Sequence, residues 1–144
     1  MTIAFTEISL GVALMDREHR ALVALFDAFE RCFGDDSQLE EAERLAGEAL
    51  SLANDHFEHE EALMAESQYP GIAEHKFHHR NLRLQFTTLV DDTIANIRRH
   101  DPVTLEHLDV MRRLLQEHIL GPDTVLAAHL KTVSAQSERA EPTL

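Results

Sequence analysis

The sequence predicts an all-α protein: an up-down-up-down four-helix bundle with an N-terminal arm and a short C-terminal helix. Composition is the first reason, since glycine and proline are scarce, tryptophan is absent, and Ala, Leu and Glu, which favour helices, are frequent. The second reason is that apolar residues recur every three or four positions in four segments. The third is that short turns separate these segments, which places consecutive helices side by side and antiparallel.

The size and charge of the chain limit its organisation and its partners. With 144 residues, 44% of them hydrophobic, the chain can bury one core, and we expect a single domain over residues 1–133 and a disordered tail over 134–144. The net charge of −13 argues against nucleic acid or an anionic membrane surface as a partner.

Three further features bear on location. Cys32 is the only cysteine, which excludes an intrachain disulfide. No apolar run approaches the roughly 18 residues of a membrane span, and the first residues lack the basic segment of a secretory signal. We therefore expect no membrane partner and a cytoplasmic location.

The first half of the chain is predicted to contain the arm and two helices. Met1 to Gly11 shows no sustained period and should form the arm. The first helix is expected from about Asp16, with Gly34 as its natural end. The sequence Ser37-Gln38-Leu39-Glu40 predicts a capping box for the second helix, which should end before Tyr69-Pro70-Gly71.

The second half is predicted to contain the remaining helices. The third helix is expected from about Ile72 to Arg99. Asp101-Pro102 supplies an N-cap and a first-turn proline for the fourth helix. Gly121-Pro122 should interrupt that helix, and Thr124 to Lys131 should form the last, short one.

Each of the four long segments carries histidine on its apolar stripe. A buried imidazole or carboxylate is costly unless it is paired. A lone core histidine is more often hydrogen-bonded than metal-bound, but metal coordination satisfies five of them and a glutamate at once. These candidate ligands are His19, His56, Glu60, His75, His79 and His118.

Asp123 is a further candidate ligand. It lies five residues after His118, about 140° further round an ideal helix, so an unbroken α-helix would aim it elsewhere. A break at Gly121-Pro122 would re-aim it. We favour ligation; a role as cap of the last helix, alone or in addition, stays open.

The number of candidate ligands indicates more than one metal ion. Five imidazoles and two carboxylates suit two ions that share bridging carboxylates. Imidazole suits Fe, Zn, Cu and Ni, and no thiolate is available to narrow the choice. The Glu-x-x-His pairs of the carboxylate-rich di-iron bundles and the H-E-x-x-H motif are both absent.

Five motifs, in order, resemble the hemerythrin family in its bacterial form, over about Ile8 to Lys131. The motifs are Met15-Asp16-Arg17-Glu18-His19, His56-Phe57-x-x-Glu60-Glu61-x-x-Met64, Tyr69-Pro70, His75-x-x-x-His79 and His118-Ile119-x-x-x-Asp123. The resemblance implies a non-haem di-iron centre inside the bundle, with dioxygen as its ligand.

The resemblance also implies a role for each candidate ligand. One iron takes His75, His79 and His118, and the other takes His19 and His56. Glu60 and Asp123 bridge the two ions together with an oxo or hydroxo group, and dioxygen binds at the iron that has two histidines.

A dry apolar pocket is expected around the oxygen site. Leu22, Phe57, Leu115 and Ile119 lie one helical step from ligands and should form its walls, although ordinary core packing explains them equally well. Two departures from the family concern Phe5 and Leu114, which stand where tryptophan is common. The smaller Leu114 is expected to open a route for solvent or small molecules.

Reversible dioxygen binding for storage, delivery or sensing is the function that the resemblance favours. A sensor would need a separate protein partner, which the sequence does not identify. The alternative is an enzyme that uses the same site to reduce peroxide or nitric oxide. A third hypothesis is a structural bundle whose histidines bind no metal.

Overall fold

Five α-helices make up most of the chain. The computed structural model describes residues 9–33, 35–101 and 105–140, with side chains described as far as residue 137. The helices are α1 (Ala13–Glu30), α2 (Leu39–Glu66), α3 (Ile72–Arg98), α4 (Leu105–His118) and α5 (Thr124–Ala140). No strand occurs in the described ranges, so the predicted all-α fold class is confirmed.

The helices pack in chain order around a shared core. α2 lies between α1 and α3, α4 packs against α3, and α4 also contacts α1, which closes the bundle. α5 follows α4 through a short π-helical turn. None of the described helices combines the length and the apolar character needed to cross a membrane.

The last residues of the arm are tied to the start of α1 by a buried carboxylate. Asp16 accepts hydrogen bonds from the backbone N–H of Leu10 (2.8 Å) and of Gly11 (3.2 Å). Gly11 has a φ of +81°, a left-handed conformation that favours glycine. Residues 1–8, which include Phe5, lie outside the described part of the chain.

The start of α2 differs from the predicted capping box. A short 3₁₀ turn, Asp36–Gln38, precedes the helix. Asp35 is its cap, and its carboxylate accepts from the backbone N–H of Ser37 at 3.0 Å and from the hydroxyl of Ser37 at 2.6 Å. Ser37 therefore donates to an earlier carboxylate, so the predicted role of Ser37 as the cap is wrong.

The turn between α2 and α3 depends on a glycine. A Cβ atom on Gly71 would lie 2.9 Å from the Tyr69 ring, closer than van der Waals contact allows. The ring thus packs directly over the backbone at this turn, and α3 begins at the next residue, Ile72.

Two further predictions concern Pro102, before α4, and the length of the last helix. Pro102, the expected first-turn proline, lies outside the described residues. α5 continues to Ala140, past both Lys131 and Ser134, and is therefore longer than the short helix that the sequence suggested. The division into a domain over residues 1–133 and a tail remains a prediction.

Candidate metal centre

All seven predicted ligands lie in the interior of the bundle and meet there. Their exposed fractions range from 0% to 5%. Four of the five α-helices contribute: α1 supplies one histidine, α2 a histidine and a glutamate, α3 two histidines, and α4 with the π-helical turn a histidine and an aspartate. In chain order these residues are His19, His56, Glu60, His75, His79, His118 and Asp123.

The seven side chains form two groups that overlap in the carboxylates. In each group one potential ligand atom per residue lies within 4.8 Å of all the others. Glu60 and Asp123 belong to both groups. The larger group adds His75, His79 and His118, and the smaller adds His19 and His56.

Each shared carboxylate directs one oxygen towards each group. Oε1 of Glu60 lies 2.8 Å from Nε2 of His79, whereas Oε2 lies 3.3 Å from Nε2 of His56. The same division holds for Asp123.

Oδ1 of Asp123 lies 2.9 Å from Nε2 of His118 and 3.1 Å from Nε2 of His75, whereas Oδ2 lies 3.1 Å from Nε2 of His19. Two carboxylates that face both groups in this way have the arrangement needed to bridge two ions.

Several of these facing atoms have no hydrogen-bond partner of good geometry. They are Nε2 of His56, His75 and His118, Oε2 of Glu60 and Oδ1 of Asp123. The nearest carboxylate oxygen lies 3.3 Å from Nε2 of His56, 3.1 Å from that of His75 and 2.9 Å from that of His118, yet none of these contacts is a hydrogen bond. Since buried polar atoms are nearly always paired, this set of unpaired donors and acceptors fits metal ions at the points where their lone pairs converge.

The electrostatics of the centre keep the carboxylates ionised. Burial favours the neutral acid of Glu60, but close contacts with the imidazoles of four histidines prevail and hold its pKa well below the usual value. Burial and the charge of Glu60 act in the same sense on Asp123, yet close contacts with the imidazoles of His118, His19 and His75 lower its pKa. Ionised carboxylates are the form that binds cations.

The histidines respond to that negative charge. Burial disfavours the charged imidazole of His56, but the hydrogen bond to Glu18 and the close contact with Glu60 outweigh it and raise the pKa to about 10. The pKa of His118 is raised to about 9 in the same way, against burial, by Asp123 and Glu60. At His79 burial prevails and lowers the pKa, which favours the neutral, ligating form.

Two further carboxylates hold the outer nitrogens of ligand histidines. Oε1 of Glu18 lies 3.1 Å from Nδ1 of His56, and Oε2 of Glu61 lies 3.2 Å from Nδ1 of His79. Such contacts fix the orientation and tautomer of an imidazole, so that Nε2 faces the centre.

Glu18 and Glu61 were not among the site residues predicted from the sequence. Both stand next to predicted ligands, His19 and Glu60, inside the quoted motifs. The available signal in the sequence was an acidic residue directly beside a predicted ligand. Which histidine each of these glutamates contacts depends on how α1 and α3 pack against α2.

Asp123 reaches the centre through a local change in helix geometry. Residues Ile119–Asp123 form a π-helical turn, in which bonds from i to i+5 place residues five apart on one face. Pro122, which has no N–H, lies in this turn, and the hydroxyl of Thr124 donates to the carbonyl of Ile119 at 2.9 Å. The predicted interruption at Gly121-Pro122 is thus a π-helical turn rather than a break in the helix.

The residues predicted to wall an oxygen pocket all belong to the core or its edge. Leu22, Phe57, Leu115 and Ile119 are fully buried, whereas Leu114 is half-buried. The Phe57 ring stacks on His79 with centroids 4.5 Å apart and has its centroid 5.8 Å from that of His56. Phe57 therefore borders both ligand groups, and the pocket itself remains a prediction.

Fold and site together define a helical bundle that can hold cations in a buried cluster of histidines and carboxylates. A family model described as the hemerythrin HHE cation binding domain matches residues 10–130. The chain belongs to the hemerythrin family. Neither the curated proteins nor the solved structures gave a significant match to it.

Proposed function

We propose that this protein binds dioxygen reversibly at a di-iron centre formed by the seven clustered ligands. The observation that carries the proposal is the division of the carboxylate oxygens: Glu60 and Asp123 each present one oxygen to a group of three histidines and one to a group of two. One iron is assigned to each group. The two carboxylates are assigned as bridges.

The smaller group has room for an exchangeable ligand. It offers His19 and His56 with the two shared carboxylates, while the larger group offers three histidines with the same carboxylates. Fewer protein ligands leave a position free for a small molecule. Dioxygen is therefore assigned to the side of His19 and His56.

The ligand set favours binding over oxidation chemistry. Two ferrous ions would supply the electrons and the open coordination position that dioxygen needs. Neutral imidazoles with only two carboxylates stabilise high-valent iron less well than a carboxylate-rich set. The buried side chains of Leu22, Phe57 and Leu115 limit the access of water, and Glu18 and Glu61 hold two imidazoles in place.

Metal analysis and spectroscopy test this proposal. Protein from iron-replete cells is expected to contain about two iron ions per chain, as two groups of ligands require. After anaerobic reduction, the visible spectrum should change on adding oxygen and return on removing it, over repeated cycles. His56→Ala should abolish the response, while His107→Ala, at a half-buried histidine of α4 about three turns from His118, should keep it.

Two results would overturn the proposal. A chain that binds no iron under these conditions would return the cluster to a structural role. Oxidation in a single irreversible step, with turnover of added peroxide or nitric oxide, would instead identify the reductive enzyme that was the alternative function.

A further inference from the structure

The far end of the bundle carries a cavity that the metal centre does not use. It measures about 470 Å³ and lies where the end of α1 meets the beginning of α2 and the end of α3. Phe29, Phe33 and Ile97 form part of its apolar wall, and Asp35, Asp36 and Asp101 are acidic residues along it. A cavity of this size admits water and small molecules freely.

A second, much smaller cavity lies deeper in the core. Its free volume of about 20 Å³ is enough for roughly one water-sized molecule. Phe26, Ala49, Val90 and Met111 are among its apolar wall residues. The hydroxyl of Thr93, the one polar side chain in the described wall, donates to the carbonyl of Leu89 at 2.7 Å and has no need of a buried water.

Aromatic side chains connect these two cavities with the metal centre. Phe29 lines both cavities. Phe86 lines the inner one, and its ring stacks on Phe57 with centroids 6.4 Å apart. Phe57 in turn stacks on the ligand His79. Phe29, Phe86 and Phe57 therefore form an apolar series that leads from the outer cavity past the inner cavity to the centre.

We propose that the inner cavity is a docking site for one molecule of an apolar gas, dioxygen in the function proposed above, on a route that begins at the far end of the bundle and passes Phe29. This inference rests on the proposed function for the identity of the gas. An apolar cavity without free hydrogen-bonding groups stays dry and binds small apolar molecules. The route thus admits dioxygen while it disfavours water and peroxide, which must keep hydrogen-bond partners.

Xenon provides a test that does not depend on the metal. In the full chain, xenon pressure should shift the methyl NMR signals of the inner wall, notably Leu45, Val90 and Met111, in a saturable way. Ala49→Leu fills the cavity and should remove most of that shift. Ser51→Leu places the same side chain at an exposed position of α2 and should leave it unchanged. If Ala49→Leu does not fold, Ala46→Val serves as the filling variant.

Absence of a xenon shift at these methyl groups, or an equal shift in the filled variant, would overturn the docking site. The route has its own test in the reduced, iron-loaded protein. Ala49→Leu should slow dioxygen association by roughly tenfold, because a bulky side chain then stands across a close-packed path. An unchanged association rate would overturn the route. If the wild-type chain formed no oxygen adduct, the proposed function would fail, and the xenon result alone would still decide the cavity.

Discussion

Glu18 holds His56: its Oε1 lies 3.1 Å from Nδ1 of that buried imidazole. Its other oxygen, Oε2, lies 2.6 Å from Nδ1 of His59, whose side chain is 54% exposed. The two histidines, three residues apart on α2, thus both contact one carboxylate from α1. Burial works against ionisation of Glu18, but hydrogen bonds from His56 and His59 lower its pKa. An ionised Glu18 gives His56 the fixed orientation that a metal ligand needs.

We expect Glu18→Gln to weaken iron binding by roughly 10–100-fold, the usual effect of losing such an orienting carboxylate. An amide keeps the size of the side chain but loses the charge that aligns the imidazole. Competition with a chelator of known affinity measures the change. Glu58→Gln, at an exposed position of α2, is the matched control and should bind iron like the wild type. Equal affinity in both variants would show that Glu18 has no orienting role.

Arg83 supports the other orienting carboxylate. Its guanidinium donates to Oε2 of Glu61 at 2.7 Å and lies over the Phe57 ring, 5.4 Å from the centroid. Both contacts bear on the position of His79, which Glu61 holds and Phe57 stacks upon. Arg83 is about one-third exposed, so water screens the ion pair in part.

We therefore expect Arg83→Met to weaken iron binding by roughly threefold to tenfold. This effect should be smaller than that of Glu61→Gln. Methionine retains contact with the Phe57 ring and removes only the charge. Arg80→Met, at an exposed position one turn away, is the control for loss of an arginine from α3. A larger loss in Arg83→Met than in Glu61→Gln would contradict this order, and chelator competition on the three variants decides it.

The helical spacing of the sequence was sufficient to place six of the seven clustered side chains on inward faces. Spacing determines which side of a helix a residue occupies, so the i, i+4 pairs His56/Glu60 and His75/His79 needed no knowledge of the tertiary structure. Asp123 was different. Its five-residue separation from His118 is out of phase in an α-helix, and only the π-helical turn brings it back.

The sequence pattern could not predict which side chains contact each other between helices. Glu18 meets His56, and Glu61 meets His79, through the relative height of two packed helices, which helical spacing does not specify. The prediction for the start of α2 failed for a local reason: Asp35 caps a 3₁₀ turn ahead of the helix and accepts from the N–H and the hydroxyl of Ser37. The capping-box motif does not show that its serine can bond to an earlier carboxylate instead.

Glu60 offers the most direct test of a shared carboxylate. Glu60→Gln keeps the volume of a fully buried side chain but removes a charge that faces both histidine groups. We expect iron content to fall from about two per chain to below one, because both ions lose the same ligand. Elemental analysis measures this, and circular dichroism should show that helix content is kept. Loss of only the ion near His75, His79 and His118 would contradict a bridging role.

The pH dependence of stability separates the effect of protons from that of metal. In chelator-treated protein, His56 has a pKa raised from 6.5 to about 10, and His118 one raised to about 9. A raised pKa stabilises the fold fully below the unfolded value of 6.5, and this stabilisation is lost as the pH rises through 9 and 10. His79, whose pKa is lowered by burial, opposes the effect below its unfolded value.

The shared carboxylates of Glu60 and Asp123 determine how the stability of the fold decreases at acid pH. Because the pKa values of Glu60 and Asp123 are lowered, the stabilisation they give is complete above 4.5, the higher of their two unfolded values, and is lost as the pH falls through the folded ones. The chelated protein should therefore be most stable between about pH 4.5 and 6.5 and melt at lower temperatures towards pH 10.

Bound iron should oppose this loss of stability at alkaline pH. Ligation requires neutral imidazoles, so protons compete with the metal and its affinity rises with pH. The increase in melting temperature that iron produces should grow from pH 6.5 towards pH 9. His56→Ala should flatten the alkaline decline of the chelated protein, while His107→Ala, the control on α4, should leave it in place. A chelated wild-type protein that gained stability between pH 6.5 and 10 would contradict the assigned coupling between the histidines and the shared carboxylates.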